Sequence, residues 1–124
     1  MKREIIASAT APARWVEPDR IARTYVFDPE FIGFAGHFPG YPILPAFVQI
    51  LTAATLAEER IGTPLELSSV KKAKFMQEIR PGQEIVVECR ERLMDGAFRC
   101  EVSIALGDKV ASKFVMIFAM KRES

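Results

Sequence analysis

Residues 45–61 decide the architecture of this chain, and they read PAFVQILTAATLAEERI. Pro45 suits the first turn of a helix, because its missing N–H would have no intrahelical acceptor there, and Gly62 is a typical residue just beyond a helix end. Up to Ala57 almost every residue is apolar or small, on every side of the helix. A helix that is apolar all round must be enclosed by the rest of the chain. The sequence therefore predicts one buried helix of about four turns.

Three segments downstream of the helix predict β-strands. Residues 83–94 and 98–106 alternate apolar with polar side chains, which is the period of a half-buried strand. Residues 109–120 are apolar on both faces. Asp95-Gly96 separates the first two segments and favours a hairpin turn, because both residue types tolerate positive φ. We therefore expect consecutive antiparallel strands at this end of the chain.

Further strands are predicted closer to the helix and before it. Residues 67–80 resemble a strand that ends at the turn Pro81-Gly82, which makes four consecutive antiparallel strands in all. Residues 22–27 are a shorter candidate and residues 4–8 a weaker one. One buried helix followed by an antiparallel meander indicates an α+β fold in which the sheet curls around the helix, the hotdog shape.

Composition narrows the class of protein. Of 124 residues, 49% are hydrophobic and 27% charged, so the chain should fold, and residues 1–124 are expected to form a single domain. Lys+Arg 17 against Asp+Glu 16 leaves a net charge of +1, which argues against nucleic-acid binding. No apolar stretch approaches the roughly 20 residues that span a bilayer. A cytoplasmic protein without membrane contact is therefore predicted.

Cys89 and Cys100 are the only two cysteines. They lack metal-ligand spacing and the density of a disulfide scaffold, so we expect buried free thiols and predict neither a metal nor a cofactor. A sheet of this kind has exposed edge strands and a small core. Pairing with a second copy would cover an edge, which predicts a homodimer or a higher oligomer.

His37 is the only histidine and lies in the loop 34–45, which contains two glycines and three prolines. A rigid loop that leads into a helix N-terminus can hold a base beside backbone N–H donors, and histidine titrates near neutral pH. The alternative is a packed loop in which the imidazole only caps a carbonyl. The residues alone leave both readings open.

Two motifs in this region resemble the bacterial 3-hydroxyacyl-(acyl carrier protein) dehydratases. Residues 36–45, GHFPGYPILP, look like the active-site loop of that family, and KAKF at 72–75 with RPGQ at 80–83 looks like its second signature. The resemblance implies a hotdog fold in which His37 removes the α-proton of the substrate. It also implies that the backbone N–H of Ala46, where the family usually has glycine, polarises the thioester carbonyl. The substrate-binding residues implied are Phe38, Gly40, Ile43, Leu44, Leu51 and Thr55.

Leu51 departs from the family pattern. At this helix position the family has a Glu or Asp that protonates the departing 3-hydroxyl, and leucine cannot transfer a proton. Glu58 and Glu59 lie about 10 to 12 Å further along the helix, too far to replace the missing acid directly. Thr55, one turn after Leu51, could at best orient a water. Glu30 is the remaining carboxylate that could approach from the segment before His37.

Three functions follow from these residues. The first is a 3-hydroxyacyl-acyl carrier protein dehydratase that acts on (3R)-hydroxyacyl thioesters in fatty-acid or related biosynthesis, weak or dependent on a partner because of Leu51. Its substrate is carried by acyl carrier protein or coenzyme A. The second is a non-catalytic acyl-thioester-binding subunit, or one half of a heterodimer with an acid-bearing paralogue. The third is a hotdog thioesterase, which Leu51 disfavours equally.

A basic cluster accompanies these motifs. Lys71, Lys72, Lys74 and Arg80 could attract an acidic carrier protein, since like-signed charges raise the encounter rate with an oppositely charged partner. The alternative is an ordinary solvated strand edge. The sequence does not distinguish the two.

Overall fold

The chain forms two α-helices and six β-strands in a computed structural model that describes residues 1–34, 40–94 and 97–120. The helices are α1 (Lys2–Ala7) and α2 (Ala46–Ile61). The strands are β1 (Arg14–Glu17), β2 (Arg20–Val26), β3 (Leu65–Phe75), β4 (Glu84–Met94), β5 (Ala97–Leu106) and β6 (Lys109–Met120). Within the described residues, neither helix is long and apolar enough to cross a membrane.

All six strands join one antiparallel sheet in the order β1-β2-β4-β5-β6-β3. The predicted pairing of β4 with β5 and of β5 with β6 is confirmed, and the turn residues Asp95 and Gly96 lie outside the described residues. The prediction of four consecutive paired strands is wrong at β3, which pairs with β6 instead of β4. Met76 N–H donates to Ala111 O, and Gly82 N–H donates to Phe27 O. Residues 76–83 therefore cross from the β6 side of the sheet to the β2 side.

Helix α2 packs on one face of this sheet, here called the inner face. Its predicted bounds are confirmed: Pro45 precedes the helix with φ −65° and ψ 155°, and Gly62 ends it in the left-handed region at φ 80°. The sheet residues beneath it are buried side chains of alternating positions: Ile85, Val87, Cys89, Phe98, Cys100, Val102, Ile104, Phe114, Met116 and Phe118. The sheet leaves the first turn of α2 uncovered, since Ala46 and Phe47 are exposed, and Glu59 near the C-terminal end is exposed as well.

The N-terminal region differs from the sequence prediction. Residues 4–8, expected as a weak strand, belong mainly to α1, whose Ile5 is fully buried in the core. A segment this short carries no clear period, so tertiary packing decides its conformation. β1 was not predicted, and the strand expected over 67–80 ends at Phe75.

Both cysteines are free and buried, which confirms the prediction for them. A hydrogen bond with the Cys100 thiol, together with burial, raises the pKa of Cys89 well above its usual value. Cys89 Sγ also lies 3.8 Å from Ala53 O on α2. Small residues on the helix therefore allow close approach to the sheet at this point.

Candidate active site

The loop that contains His37 is anchored in the core just before residue 35. A single 3₁₀ turn, Ile32–Phe34, places Phe34 among buried aromatic rings, with its centroid 5.8 Å from that of Phe31. A Cβ added to Gly33 would overlap the Phe31 ring and lie 3.1 Å from Val48 Cγ2 on α2. Glycine therefore lets this turn lie directly against the helix. His37 and Phe38 themselves lie outside the described residues.

On the other side of the loop, residues 40–45 are attached to residues 78–80. Leu44 N–H donates to Ile79 O at 2.7 Å, and Tyr41 Oη–H donates to Glu78 Oε2 at 2.9 Å. The Arg80 guanidinium stacks over the Tyr41 ring, 4.0 Å from its centroid. The two ends of the loop are thus held by separate parts of the molecule.

A buried amide links this segment to the helix and the sheet. Gln49 is 4% exposed; its Nε2 donates to Leu44 O at 3.1 Å, and its Oε1 accepts from Ser112 Oγ at 2.7 Å. Ser112 lies on β6 and is fully buried. Because a buried polar group without a partner costs free energy, these bonds favour one placement of the N-terminal end of α2. Local sequence patterns carry no signal for this contact, because Ser112 is 63 residues away along the chain.

The N-terminal end of α2 has a backbone donor without an acceptor in the part of the chain that the structure describes. Val48 N–H and Gln49 N–H both donate to Pro45 O at 3.1 Å, whereas Ala46 N–H makes no hydrogen bond with any described residue. The N–H groups of a first helical turn point out along the axis and carry the positive end of the helix dipole. Ala46 N–H is therefore available to an oxygen of a bound substrate.

The remaining predicted substrate-binding residues differ in exposure. Gly40 is exposed with φ 83°, Ile43 is half-buried, and Leu44 is a core residue. Leu51 is partly buried against the core cluster. Thr55 is buried, and its hydroxyl donates to Thr52 O at 2.8 Å. Its proton is therefore already engaged within the helix and is not free to orient a water.

The nearest helix carboxylates are engaged elsewhere, as their distance along the helix suggested. Glu58 pairs with Lys2 at 3.3 Å and accepts from Leu65 N–H, and Glu59 pairs with Arg23 at 2.6 Å. These three contacts hold the C-terminal end of α2. Glu30 is exposed, and its backbone N–H donates to Asp28 Oδ1 at 2.8 Å.

Glu78 is a carboxylate near the loop that sequence reasoning missed. It lies in the crossing segment 76–83, part of which the sequence predicted as strand. No local pattern therefore indicated that it lies beside Tyr41. Its hydrogen bond and negative charge raise the pKa of Tyr41, because they stabilise the neutral phenol. Tyr41 is therefore a poor proton donor and does not replace the acid that Leu51 lacks.

Comparison with known proteins places these features in context. Residues 14–113 match the family model of ApeI-like proteins, described as ApeI dehydratase. The 3-hydroxyacyl-[acyl-carrier-protein] dehydratase FabZ of Thermotoga petrophila is 33% identical over 98 residues, which are 73% of this chain and 69% of the relative. The stretch matched by the family model contains the positions of His37, Ala46 and Leu51. The expected resemblance to the dehydratases is thus confirmed.

Solved structures confirm the hotdog fold. The dehydratase heterocomplex ApeI:P from Xenorhabdus doucetiae is similar with a TM-score of 0.75 and 20% identity, over 90% of this chain and 96% of that chain. A hypothetical thioesterase protein with coenzyme A from Streptococcus pneumoniae gives a TM-score of 0.71 and 6% identity, over 98% and 95% of the two chains. At these identities the structures bear on the fold alone.

The Gln49–Ser112 hydrogen bond gives a first prediction. Gln49→Leu leaves the Ser112 hydroxyl and Leu44 O without their partner and should lower the free energy of unfolding by about 1–3 kcal/mol, and Ser112→Ala should lower it similarly. The double variant should lose less than the sum, because it leaves neither side chain unpaired. Urea unfolding of the four proteins measures this coupling. Strictly additive losses would contradict it.

Proposed function

Since the chain belongs to the ApeI-like dehydratase family, we propose that it converts (3R)-3-hydroxyacyl thioesters into trans-2-enoyl thioesters, slowly or with the help of a partner subunit. The observation that best supports this proposal is the Ala46 N–H at the exposed start of α2, which has no acceptor among the described residues and follows the segment that contains His37. The thioester is carried by acyl carrier protein or coenzyme A. Residues 1–124 act as one domain, since helix and sheet share one core cluster.

In this mechanism His37 takes a proton from C2 of the acyl chain. Negative charge then develops on the thioester carbonyl oxygen, where Ala46 N–H donates a hydrogen bond strengthened by the helix dipole. The electron pair of the broken C–H bond forms the C2–C3 double bond as the C3–O bond breaks. The hydroxyl leaves as water once it has gained a proton.

The source of that last proton is the weak point of the site. Leu51 supplies none, the Thr55 hydroxyl is bonded within the helix, and Tyr41 is held by Glu78. The proton must therefore come from the imidazolium formed at His37, from a water, or from a partner chain. General acid catalysis contributes roughly 10²- to 10⁴-fold, so this chain alone should be slow.

The free edge at β3 supports pairing with a second chain. Leu67 and Phe75 are opposite the inner-face residues Phe118 and Ser112 in the strand register, yet they are 40% and 42% exposed. Apolar side chains that the chain's own helix leaves uncovered at a free strand edge are the surface a second hotdog subunit would cover. The partner is a second copy, or an acid-bearing paralogue in a mixed dimer; the Xenorhabdus neighbour is itself described as a dehydratase heterocomplex.

The second candidate function is a subunit that binds the acyl thioester without chemistry. It is favoured by one observation: within the described part of α2, both carboxylates are paired at the far end of the helix. A thioesterase would have to activate a water and faces the same shortage of a base beside Leu51. The products of a single assay distinguish the three functions.

Turnover of a 3-hydroxyacyl thioester is the decisive measurement. Enoyl absorbance and the release of free thiol report its two possible products. We expect slow enoyl formation that His37→Ala abolishes. Leu51→Glu should accelerate it by up to about 10²- to 10⁴-fold, because it restores a general acid, whereas Leu51→Gln, similar in size but not acidic, should not. Thiol release without enoyl product would indicate a thioesterase. Tight binding without turnover in the wild type and in Leu51→Glu would favour the non-catalytic subunit.

The contribution of the Ala46 N–H can be isolated by substitution. Proline is well tolerated at the first position of a helix, and the ψ of 155° at Pro45 suits a residue that precedes proline, so Ala46→Pro should remove the donor and keep the helix. We expect kcat to fall by about 10²- to 10³-fold. Ala46→Gly retains the N–H and serves as the control. Equal activity of the two variants would contradict this assignment.

Sedimentation equilibrium tests the subunit contact at β3. The wild type should have about twice the chain mass of 13.9 kDa. Leu67→Lys should weaken association, because it places a charge in the apolar contact. Val16→Lys provides the matched control, since Val16 is 50% exposed on β1 at the opposite edge of the sheet. If only Val16→Lys weakened the dimer, the contact would lie at the β1 edge, which would contradict the proposal.

A further inference from the structure

The outer face of the sheet, which faces away from α2, contains an open groove of about 710 Å³. It is distinct from the candidate active site, and the proposed dehydratase reaction does not use it. The charged and polar side chains that line it are Arg20, Lys72, Lys74, Glu88, Arg90, Glu101, Ser103 and Lys113. Its volume lies in the range of small-molecule sites.

A bulge in β3 places the lysines on this face. Lys71 pairs with Val115 and Lys74 with Lys113, so three steps along β3 correspond to two steps along β6. Side chains alternate between faces along a strand, and regular pairing would therefore put Lys74 on the inner face. Lys72, within the bulge, adopts φ 53°, an uncommon conformation for a residue with a side chain. The extra residue thus turns Lys74 toward the groove.

The arginines at one end of the groove are paired with carboxylates, whereas the lysines at the other end have no such partner among the described residues. Arg20 bonds Glu88 at 2.8 Å, Arg90 lies 3.8 Å from both Glu17 and Asp19, and Glu101 pairs with Arg99 at 3.7 Å. Lys72, Lys74 and Lys113 form no ion pair with any residue in the described ranges. The uncompensated charge is therefore concentrated where β3 and β6 meet.

The pairing of Lys74 with Lys113 is unfavourable by itself, because like charges directly opposite each other destabilise a sheet. Lysines are common on edge strands, and this would account for Lys72 and Lys74. It does not explain Lys113, since β6 lies between β5 and β3 in the interior of the sheet. An anion bound between the two ammonium groups would remove the repulsion.

From this geometry we infer that the groove binds a small organic anion that carries a diphosphate or two phosphate groups. Lysine ammonium groups bind phosphate as point charges, and the Ser103 hydroxyl, beside Lys113 in the register, can donate to a phosphate oxygen. The carboxylates Glu88 and Glu101 line the same groove and would repel an extended polyanion. A compact ligand therefore fits this charge distribution better than an acidic protein segment does.

Thermal unfolding with inorganic pyrophosphate as the probe tests this inference, at an ionic strength held constant with sodium chloride. The Tm should rise in a saturable manner. Lys113→Gln and Lys74→Gln should each weaken the apparent affinity by about tenfold. Without pyrophosphate neither variant should lower the Tm, because each removes a repulsion. Lys109→Gln is the control, since Lys109 is exposed on β6 and does not line the groove.

Three results would overturn the inference. One is a Tm that does not respond to pyrophosphate beyond an equal ionic strength of sodium chloride. Another is an equal loss of affinity in Lys109→Gln and Lys113→Gln, which would indicate nonspecific attraction. The third is stronger binding of an oligoglutamate peptide than of pyrophosphate, which would assign the face to an acidic protein. None of these outcomes depends on dehydratase turnover, so the inference about the groove and the proposed function are tested independently.

Discussion

Helix α2 presents an apolar surface on nearly every side, and a single sheet has to cover it. The inner-face side chains of β4, β5 and β6 do so along most of its length, while α1 contacts it as well. This cover ends at the first turn, where Ala46 and Phe47 are exposed. The position of the candidate active site is therefore a consequence of packing, because the open end of the helix is the end whose N–H groups have no intrahelical acceptors.

The polar contacts around α2 differ between its two ends. At the C-terminal end, ion pairs to Lys2 and Arg23 attach the helix to α1 and β2. At the N-terminal end, Gln49 holds the approaching chain and β6 by buried hydrogen bonds, and the backbone donor of Ala46 has no partner among the described residues. Gly33 brings the other side of the loop against Val48. Rigid surroundings of this kind suit a site that has few catalytic groups.

Much of this arrangement could be predicted because local periodicity reports which faces are buried. The bounds of α2 follow from Pro45 and Gly62, and the alternation in 83–120 correctly predicts β4, β5 and β6. The position of β3 beside β6 could not be predicted, because strand order depends on contacts between distant segments. The same applies to Gln49, whose partner Ser112 is 63 residues away along the chain. The loop motif indicated His37 and Ala46. Glu78 belongs to no motif, because only the path of the crossing segment brings it close to Tyr41.

The bulge between Lys71 and Lys74 also determines where the length of β3 can change. Deletion of one of the two residues inside it would leave two steps on each strand, so Lys71 would stay opposite Val115 and Lys74 opposite Lys113. Leu65, Leu67 and Phe75 would then remain on the inner face. Deletion in a regularly paired stretch would instead rotate one side of the strand by half a turn. Relatives that lack one residue of β3 should therefore lack it at this bulge, and a gap in an alignment belongs there.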